Sequence, residues 1–170
     1  MPNYKSPMPL SDDHMRLIGI IAAHWEAIDI MLQQALAEIM EFEFHRVALL
    51  TRHISFGDKI NLLMIYARRA FQDEGHKKLW RKFTDANQGL RDANDLRNKY
   101  VHSGWPSEDS GDSPIRAALI TKGGKLTLVY DPTPITELEN AAEQIYQAGQ
   151  TYLEFLQQFG LLQPSLPRSL

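Results

Sequence analysis

The sequence predicts a mainly α-helical fold: an up-down bundle of four to five helices with a small β-hairpin inserted before the last long helix. Apolar residues recur at helical spacing along most of the chain, and segments rich in serine, acidic residues and glycine interrupt this pattern. Towards the C-terminus, a glycine pair separates two short aliphatic runs, which is typical of a hairpin.

The first helix is predicted from a cap at Ser11 to about Glu41. Ser11-Asp12-Asp13 has the residue types that cap a helix N-terminus, and apolar residues follow at helical spacing. Further apolar residues widen the hydrophobic surface beyond one stripe, namely Leu17, Ile20, Ile21, Leu36 and Met40. This width fits either a helix that also contacts a second copy of the chain, or a central helix that its own bundle covers.

Three further helices are predicted before the hairpin. A short helix at Phe44–Arg52 precedes one at about Phe56–Phe71, and Ser55 and Asp58 have the spacing of a capping box at the start of the latter. A long polar helix then runs from about His76 to His102, where Gly104 and Pro106 end it. The segment 106–114, which holds serine, acid and glycine, predicts a surface loop beside this helix end.

The hairpin is predicted at about 115–130, with strands at Ile115–Thr121 and Lys125–Tyr130. Because two strands alone are only marginally stable, we expect them to pack on the helices. The last helix is predicted to begin at a capping box formed by Thr136 and Glu139 and to run to Gly160.

Length and composition bound the organisation of the chain. At 170 residues and 44% hydrophobic composition, it has the size of one domain, which we expect at residues 11–160 between an extended arm at 1–10 and a tail at 161–170. The chain has no cysteine, which fits a reducing cytoplasm, and residues 1–10 lack the apolar core of a signal peptide. The most apolar stretch, 17–40, holds too many charged residues to span a bilayer. We therefore expect a cytoplasmic protein without a membrane segment.

The net charge of −3 conceals a local asymmetry. Residues 46–99 hold twelve basic and six acidic side chains, whereas residues 1–45 and 100–170 are acidic on balance. A positive field over 46–99 would attract phosphate. The basic residues are densest in one cluster, which consists of Lys77, Lys78, Arg81 and Lys82. This basic cluster also fits an ordinary solvated helix face.

The main chemical signal is the segment Leu-Arg-Asn-Lys-Tyr-Val-His-Ser-Gly-Trp at residues 96–105. It places Arg97 beside Asn98, and His102 follows at the end of the long polar helix. A guanidinium carries fixed charge and a planar donor fork that suits phosphate, and an imidazole gives or takes a proton near neutral pH. This combination can cleave a phosphodiester without a metal ion. The patterns of phosphate loops, nucleophile elbows and zinc-protease helices do not occur, so we expect neither a cofactor nor a metal.

This segment resembles the HEPN superfamily, helical bundles whose ribonuclease members carry an arginine, a polar residue and, a few positions on, a histidine near a helix end. Arg97, Asn98 and His102 match that motif, and the looser architecture matches most of residues 11–160. The resemblance implies a homodimer with its two motifs facing each other across a cleft, and metal-independent cleavage of single-stranded RNA by a toxin or defence factor. It also implies a cognate antitoxin or another protein partner. In the HEPN toxins paired with nucleotidyltransferase antitoxins, a tyrosine often stands where this chain has Gly104, so that particular pairing is not implied.

The motif residues have distinct expected roles. His102 would act as general acid or base toward the RNA 2′-hydroxyl, and Arg97 would hold the phosphate and stabilise the developing charge. Asn98 would orient the substrate or the histidine. Further contacts to the substrate are expected from Lys99, Trp105 and Arg91, with the indole stacking on a base.

The spacing of the pair constrains its geometry. Five residues rotate a side chain by about 140° on a regular helix, so Arg97 and His102 do not share a helical face. Either His102 lies at a frayed helix end, or a second subunit completes the site. A helix C-terminus favours imidazolium, which suits the acid role better than the base role.

Two other interpretations of the sequence stay open. A non-catalytic HEPN-like bundle would bind a nucleotide or a protein partner and keep the motif for structure, and the acidic composition favours this alternative. A regulatory bundle without any role in nucleic-acid chemistry requires only the amphipathic helices.

Overall fold

The computed structural model describes residues 10–70, 77–106, 114–122 and 125–161. Within these ranges the chain forms five helices and one antiparallel hairpin, which confirms the predicted helical class and the place of the hairpin before the last helix. The predicted arm and tail, most of the loop at 106–114 and the glycine pair of the turn lie outside the described residues. Over the same ranges, every helix is too short or too polar to cross a bilayer.

Helix α1 (Asp12–Met40) is central, because it packs against each of the other four helices. Ser11 caps it as predicted, since its hydroxyl accepts a hydrogen bond from the backbone N–H of His14 at 3.4 Å. The buried His14 ring contacts the Ser11 hydroxyl at 2.7 Å and the Thr133 carbonyl at 3.2 Å. The helix ends at Glu41, which takes the left-handed conformation with φ 55° and donates its backbone N–H to the last turn. The contact between His14 and Thr133 joins the start of α1 to the segment that leads into the last helix.

The bundle itself covers most of the wide apolar surface of α1. Leu17, Ile21 and Leu36 are buried, and Ile20 and Met40 are partly buried against the core. This matches the interpretation of α1 as a central helix that its own bundle covers. The homodimer stays a prediction, but the wide apolar surface of α1 is no longer evidence for it.

Three helices follow α1 close to their predicted bounds: α2 (Phe44–Thr51), α3 (Phe56–Ala70) and α4 (Lys77–Val101). The predicted capping box of α3 is present. The backbone N–H of Asp58 donates to the Ser55 hydroxyl at 3.1 Å, and that hydroxyl donates to the Asp58 carboxylate at 2.6 Å. The core lies between α1, α3, α4 and the last helix, and its largest fully buried side chains include Ile21, Leu32, Ile60, Phe83, Leu90, Tyr100, Ile145 and Tyr152.

Helix α5 (Ile135–Gln158) begins differently from the prediction. The capping box at Thr136 is wrong, because Pro134 occupies the cap position, and no side chain hydrogen-bonds to the first turn. Pro134 has φ −68° and ψ 154°, so its backbone is extended, and its ring offers no acceptor to the N–H groups of the first turn. The carbonyl of Pro134 accepts the first helical hydrogen bond from Glu137 at 3.0 Å. This shift places Glu137 where it can reach the end of α4.

The hairpin consists of β1 (Ile115–Lys122) and β2 (Lys125–Pro132), with Ala117 opposite Tyr130 and Leu119 opposite Leu128. It packs on the helices only at its base, where Gly104 forms a β-bridge with Ala117. One face of the hairpin instead carries four large apolar residues that are each 48–70% exposed, namely Leu119, Leu126, Leu128 and Tyr130. The expectation that the strands pack on the helices therefore holds at the base alone.

Candidate active site at the end of the fourth helix

Arg97 and His102 lie in direct contact, although a regular helix would separate them. Arg97 lies about one turn before the end of α4, which ends at Val101. His102 lies just outside the helix, where the chain bends, so its ring returns toward the arginine. Nη1 of Arg97 contacts Nε2 of His102. This confirms the first of the two predicted geometries, with the histidine at the helix end, and a single chain is sufficient to form the pair.

The partners of Arg97 indicate how the two side chains can interact. A guanidinium has only donors, so a hydrogen bond in this contact requires Nε2 of His102 to be the acceptor. Asn98 Oδ1 accepts a second hydrogen bond from the same Arg97 nitrogen at 3.0 Å. Asn98 thus orients the arginine rather than the histidine. The position at the helix C-terminus alone favours the acid role, whereas a ring nitrogen that faces a donor is placed as an acceptor, which is the function of a general base.

The inner side of Arg97 is held by packing. Its guanidinium carbon lies 6.0 Å from the ring centroid of Trp25 on α1, and that indole packs at 4.2 Å against the ring of Phe56 on α3. Such a distance is at the limit of a cation–π contact. Nε of Arg97 is buried and has no hydrogen-bond partner in the described part of the chain. The terminal nitrogens therefore carry its polar contacts, and they lie on the exposed side with Asn98 and His102.

Lys99 is anchored to the protein instead of projecting freely toward a substrate. Its Nζ donates to Glu137 Oε1 at 2.6 Å, and the hydroxyl of Tyr100 donates to the same oxygen at 2.7 Å. The hydrogen bond to Glu137 raises the pKa of Lys99, and that bond, followed by the one from Tyr100, lowers the pKa of Glu137. Burial, more than the hydrogen bond to Glu137, raises the pKa of the Tyr100 hydroxyl. The predicted substrate contact through Lys99 would therefore compete with Glu137.

The hairpin fixes the bend that carries His102. Gly104 and Ala117 exchange two backbone hydrogen bonds, N–H to carbonyl, at 3.1 and 2.8 Å. Arg116 is 7% exposed and donates to the Ser103 hydroxyl at 3.3 Å and to Asp131 at 2.5 Å. The Ser103 hydroxyl also donates to the backbone carbonyl of Lys99. Residues 103–104, immediately after the histidine, are thus tied both to α4 and to β1.

The two other predicted substrate contacts lie further from the pair. Arg91 donates to the side-chain oxygen of Asn61 at 2.8 Å, and its position is about 9 Å before Arg97 along the helix axis. Trp105 is half-buried just past the Gly104 bridge, so its ring is less available for stacking than a loop position predicted. The structure does not bring either side chain into the contact between Arg97 and His102.

The basic cluster lies at the opposite end of α4. Lys78, Arg81 and Lys82 are exposed, as is Lys77. Lys82 is the member of the cluster nearest to Arg97 in sequence, and it is about 22 Å from Arg97 along the helix axis. A phosphate held at Arg97 is therefore beyond direct reach of this cluster.

Two surface depressions flank the pair, and Asn98 lines both. The hairpin depression, of about 680 Å³, lies between the end of α4 and the strands, and His102, Arg116 and Leu119 are part of its lining. The interhelical depression, of about 500 Å³, lies between α1, α3 and α4, and Trp25 and Arg97 are part of its lining. The pair thus forms a ridge between two concave surfaces.

Sequence reasoning did not identify Arg116 or Trp25 as members of this site. Arg116 is followed by an aliphatic run within its strand, and strand alternation could have marked it as a residue with a specific partner. Trp25 has the helical spacing of the apolar residues in the first helix, and it lies in the core at 6% exposure. Its edge nevertheless lines the interhelical depression, and no local pattern signals that.

Among the residues that the structure describes, no three histidine, aspartate or glutamate side chains come together as a metal site would require. Comparisons with models of protein families, with curated proteins and with solved structures found no match to this chain. Function is therefore inferred from the geometry of the site and from the motif.

Proposed function

We propose that the chain is a metal-independent endoribonuclease of the HEPN type, which cleaves single-stranded RNA in the cytoplasm as a homodimer. Its catalytic group consists of Arg97, Asn98 and His102. The observation that carries the proposal is the contact between Arg97 Nη1 and His102 Nε2. A phosphate-shaped donor and a proton acceptor are thereby placed side by side at an exposed helix end, with the acceptor nitrogen facing the arginine.

The contact suggests how substrate would activate the site. An RNA phosphate bound by Arg97 competes for the donor that now faces His102, which frees Nε2 to accept a proton. The ring would take the proton of the 2′-hydroxyl, whose oxygen attacks the adjacent phosphorus. The bond to the 5′-oxygen then breaks, giving a 2′,3′-cyclic phosphate and a 5′-hydroxyl. Arg97 stabilises the negative charge that develops on the phosphoryl oxygens.

The leaving 5′-oxygen requires a proton from the opposite side of the phosphorus. One imidazole cannot supply it while it is removing the first proton. In a dimer with the two sites facing each other, the partner's His102 would serve as that acid. The homodimer thus has a chemical reason in this mechanism, beyond the motif resemblance.

The experiment compares His102→Ala and Arg97→Ala with the wild type on mixed single-stranded RNAs in EDTA. We expect each substitution to lower the cleavage rate by about 10²- to 10⁴-fold, because each removes one catalytic group. His53→Ala and Arg52→Ala, at exposed positions outside the site, are matched controls and should cleave normally. Cleavage that persists in both site variants, or that EDTA abolishes in the wild type, would contradict the mechanism. The products are assayed for 2′,3′-cyclic phosphate ends.

A second function has one observation in its favour. The exposed face formed by Leu119, Leu126, Leu128 and Tyr130 is an unusual cluster of apolar side chains at a surface. It favours a bundle that binds a protein partner through the hairpin, with the motif kept for structure. Wild type that leaves every RNA intact under the conditions above would favour this alternative.

A further inference from the structure

The interhelical depression carries chemistry that the proposed cleavage does not use. At about 500 Å³, it falls within the size range of small-ligand pockets, roughly 300–1,000 Å³. Arg97 forms part of its wall, so a ligand in the depression would be adjacent to a phosphate bound at the guanidinium. Most of its exposed lining is polar, which distinguishes it from a gap in the apolar core.

Two asparagines one helical turn apart line the depression. The side-chain amide of Asn94 makes no hydrogen bond within the described part of the chain and is partly exposed. Asn98 uses its oxygen to accept from Arg97, while its amide nitrogen makes no hydrogen bond to a described residue. Carboxamides present a donor and an acceptor side by side, which matches the hydrogen-bonding edge of a nucleobase.

Two carboxylates add a preference to this recognition. Glu26 and Asp29 on α1 line the same depression, and carboxylates accept from amino groups on bases. Asp29 is held by Lys59 Nζ at 2.7 and 2.8 Å and by Gln33 at 2.7 Å, so its position is fixed. Cytosine, adenine and guanine carry such an amino group. Uracil presents carbonyl oxygens there, which would face the carboxylates.

We propose that the interhelical depression is a nucleobase subsite, which receives the base next to the phosphate held by Arg97 and selects bases that carry an amino group. This inference rests on the proposed function for the position of the phosphate. Single-stranded RNA is commonly recognised through unstacked bases held by hydrogen bonds to their edges. The edge of Trp25 would form an apolar wall beside the base, since the ring itself is largely buried.

The test measures binding of the four nucleoside 3′-monophosphates to the intact chain, without any cleavage. We expect the cytidine, adenosine and guanosine forms to bind roughly three- to tenfold more tightly than the uridine form, the effect of one or two hydrogen bonds. Glu26→Ala should reduce this preference, because it removes one of the two carboxylates that accept from the amino group. Asn94→Ala should weaken the binding of all four nucleotides. Asn140→Ala, at an exposed asparagine of α5, should change neither. Equal affinities in the wild type, or binding and preference that both variants retain, would overturn the proposal.

A second measurement does not depend on the variant. In the wild type, cytidine 3′-monophosphate should shift the side-chain amide resonances of Asn94 and Asn98, and unshifted resonances would overturn the subsite.

The RNA assay then separates the two proposals. Selective nucleotide binding without RNA cleavage would retain the subsite and reject the ribonuclease. Cleavage with no base preference, unchanged in Asn94→Ala, would retain the ribonuclease and reject the subsite.

Discussion

Replacement of Glu137 by alanine tests what holds the end of α4 in place, where the proposed catalytic residues lie. Tyr100 is 1% exposed and donates its hydroxyl to Glu137, so the substitution leaves a buried donor without its partner, at a cost of about 1–3 kcal/mol. The ion pair with Lys99 adds little, roughly 0–1 kcal/mol, because the two side chains are 39% and 37% exposed. A loss near the middle of this range, about 2 kcal/mol, lowers the Tm by roughly 4–8 °C for a chain of this size.

The same carboxylate gives a pH dependence with a defined sign. The hydrogen bond from Lys99 lowers the pKa of Glu137 below its ordinary value of 4.5. A carboxylate with a depressed folded-state pKa contributes its stability above the ordinary value and loses it as the pH falls through the folded value. Glu137→Gln keeps an acceptor for Tyr100 and removes only the charge. The stability difference between wild type and Glu137→Gln should therefore be largest above about pH 4.5 and shrink below it.

Thermal melts followed by circular dichroism, at neutral pH and down through the acid range, measure both effects. Glu139→Ala is the control, since Glu139 lies two residues further along α5 and is exposed. Wild-type melting in Glu137→Ala, or an equal loss in Glu139→Ala, would refute the reasoning. The hydroxyl of Tyr100 would then have another partner.

Three further predictions concern the surroundings of the site. Arg116→Met should speed amide exchange at Gly104 and Ala117 by roughly ten- to a hundredfold, the effect of losing charge-assisted hydrogen bonds, and unchanged exchange would show that the bridge holds without the guanidinium. Reversal of the basic cluster to glutamate should weaken binding of long RNA and reduce its salt dependence, yet leave cleavage of a trinucleotide unchanged, because about 22 Å separates the cluster from Arg97. Sedimentation at micromolar concentration should show a dimer, whereas a concentration-independent monomer would exclude the shared cleft.

The bundle was predictable because its signals are local. Ser11 marked the start of α1, and the apolar spacing of α3 to α5 placed residues such as Ile60, Leu90 and Ile145 in the core, where they are fully buried. The start of α5 was missed because a capping pattern at Thr136 was given more weight than the conformational effect of Pro134. Pro134 has an extended backbone conformation, and the helix begins immediately after it.

The candidate site was predictable in its chemistry but not in its arrangement. The residue types, together with the resemblance to the HEPN motif, predicted Arg97 and His102 as candidates for phosphate binding and proton transfer. Their contact depends on a bend after Val101 that is held by the pairing of Gly104 with Ala117. Such a pairing between segments distant in sequence leaves no local pattern. The amide and carboxylate groups of the interhelical depression likewise come from separate helices.

Arg97 and His102 are held by structures of different stability. Arg97 is part of a helix packed in the core of the bundle, whereas His102 depends on the bridge at the base of a hairpin with an exposed face. Local opening generally requires less free energy than global unfolding. Detachment of the hairpin would therefore separate His102 from Arg97 while the described helices remain intact. The proposed RNA cleavage should accordingly be lost on warming before helicity is lost, and helicity alone would not indicate that the site is assembled.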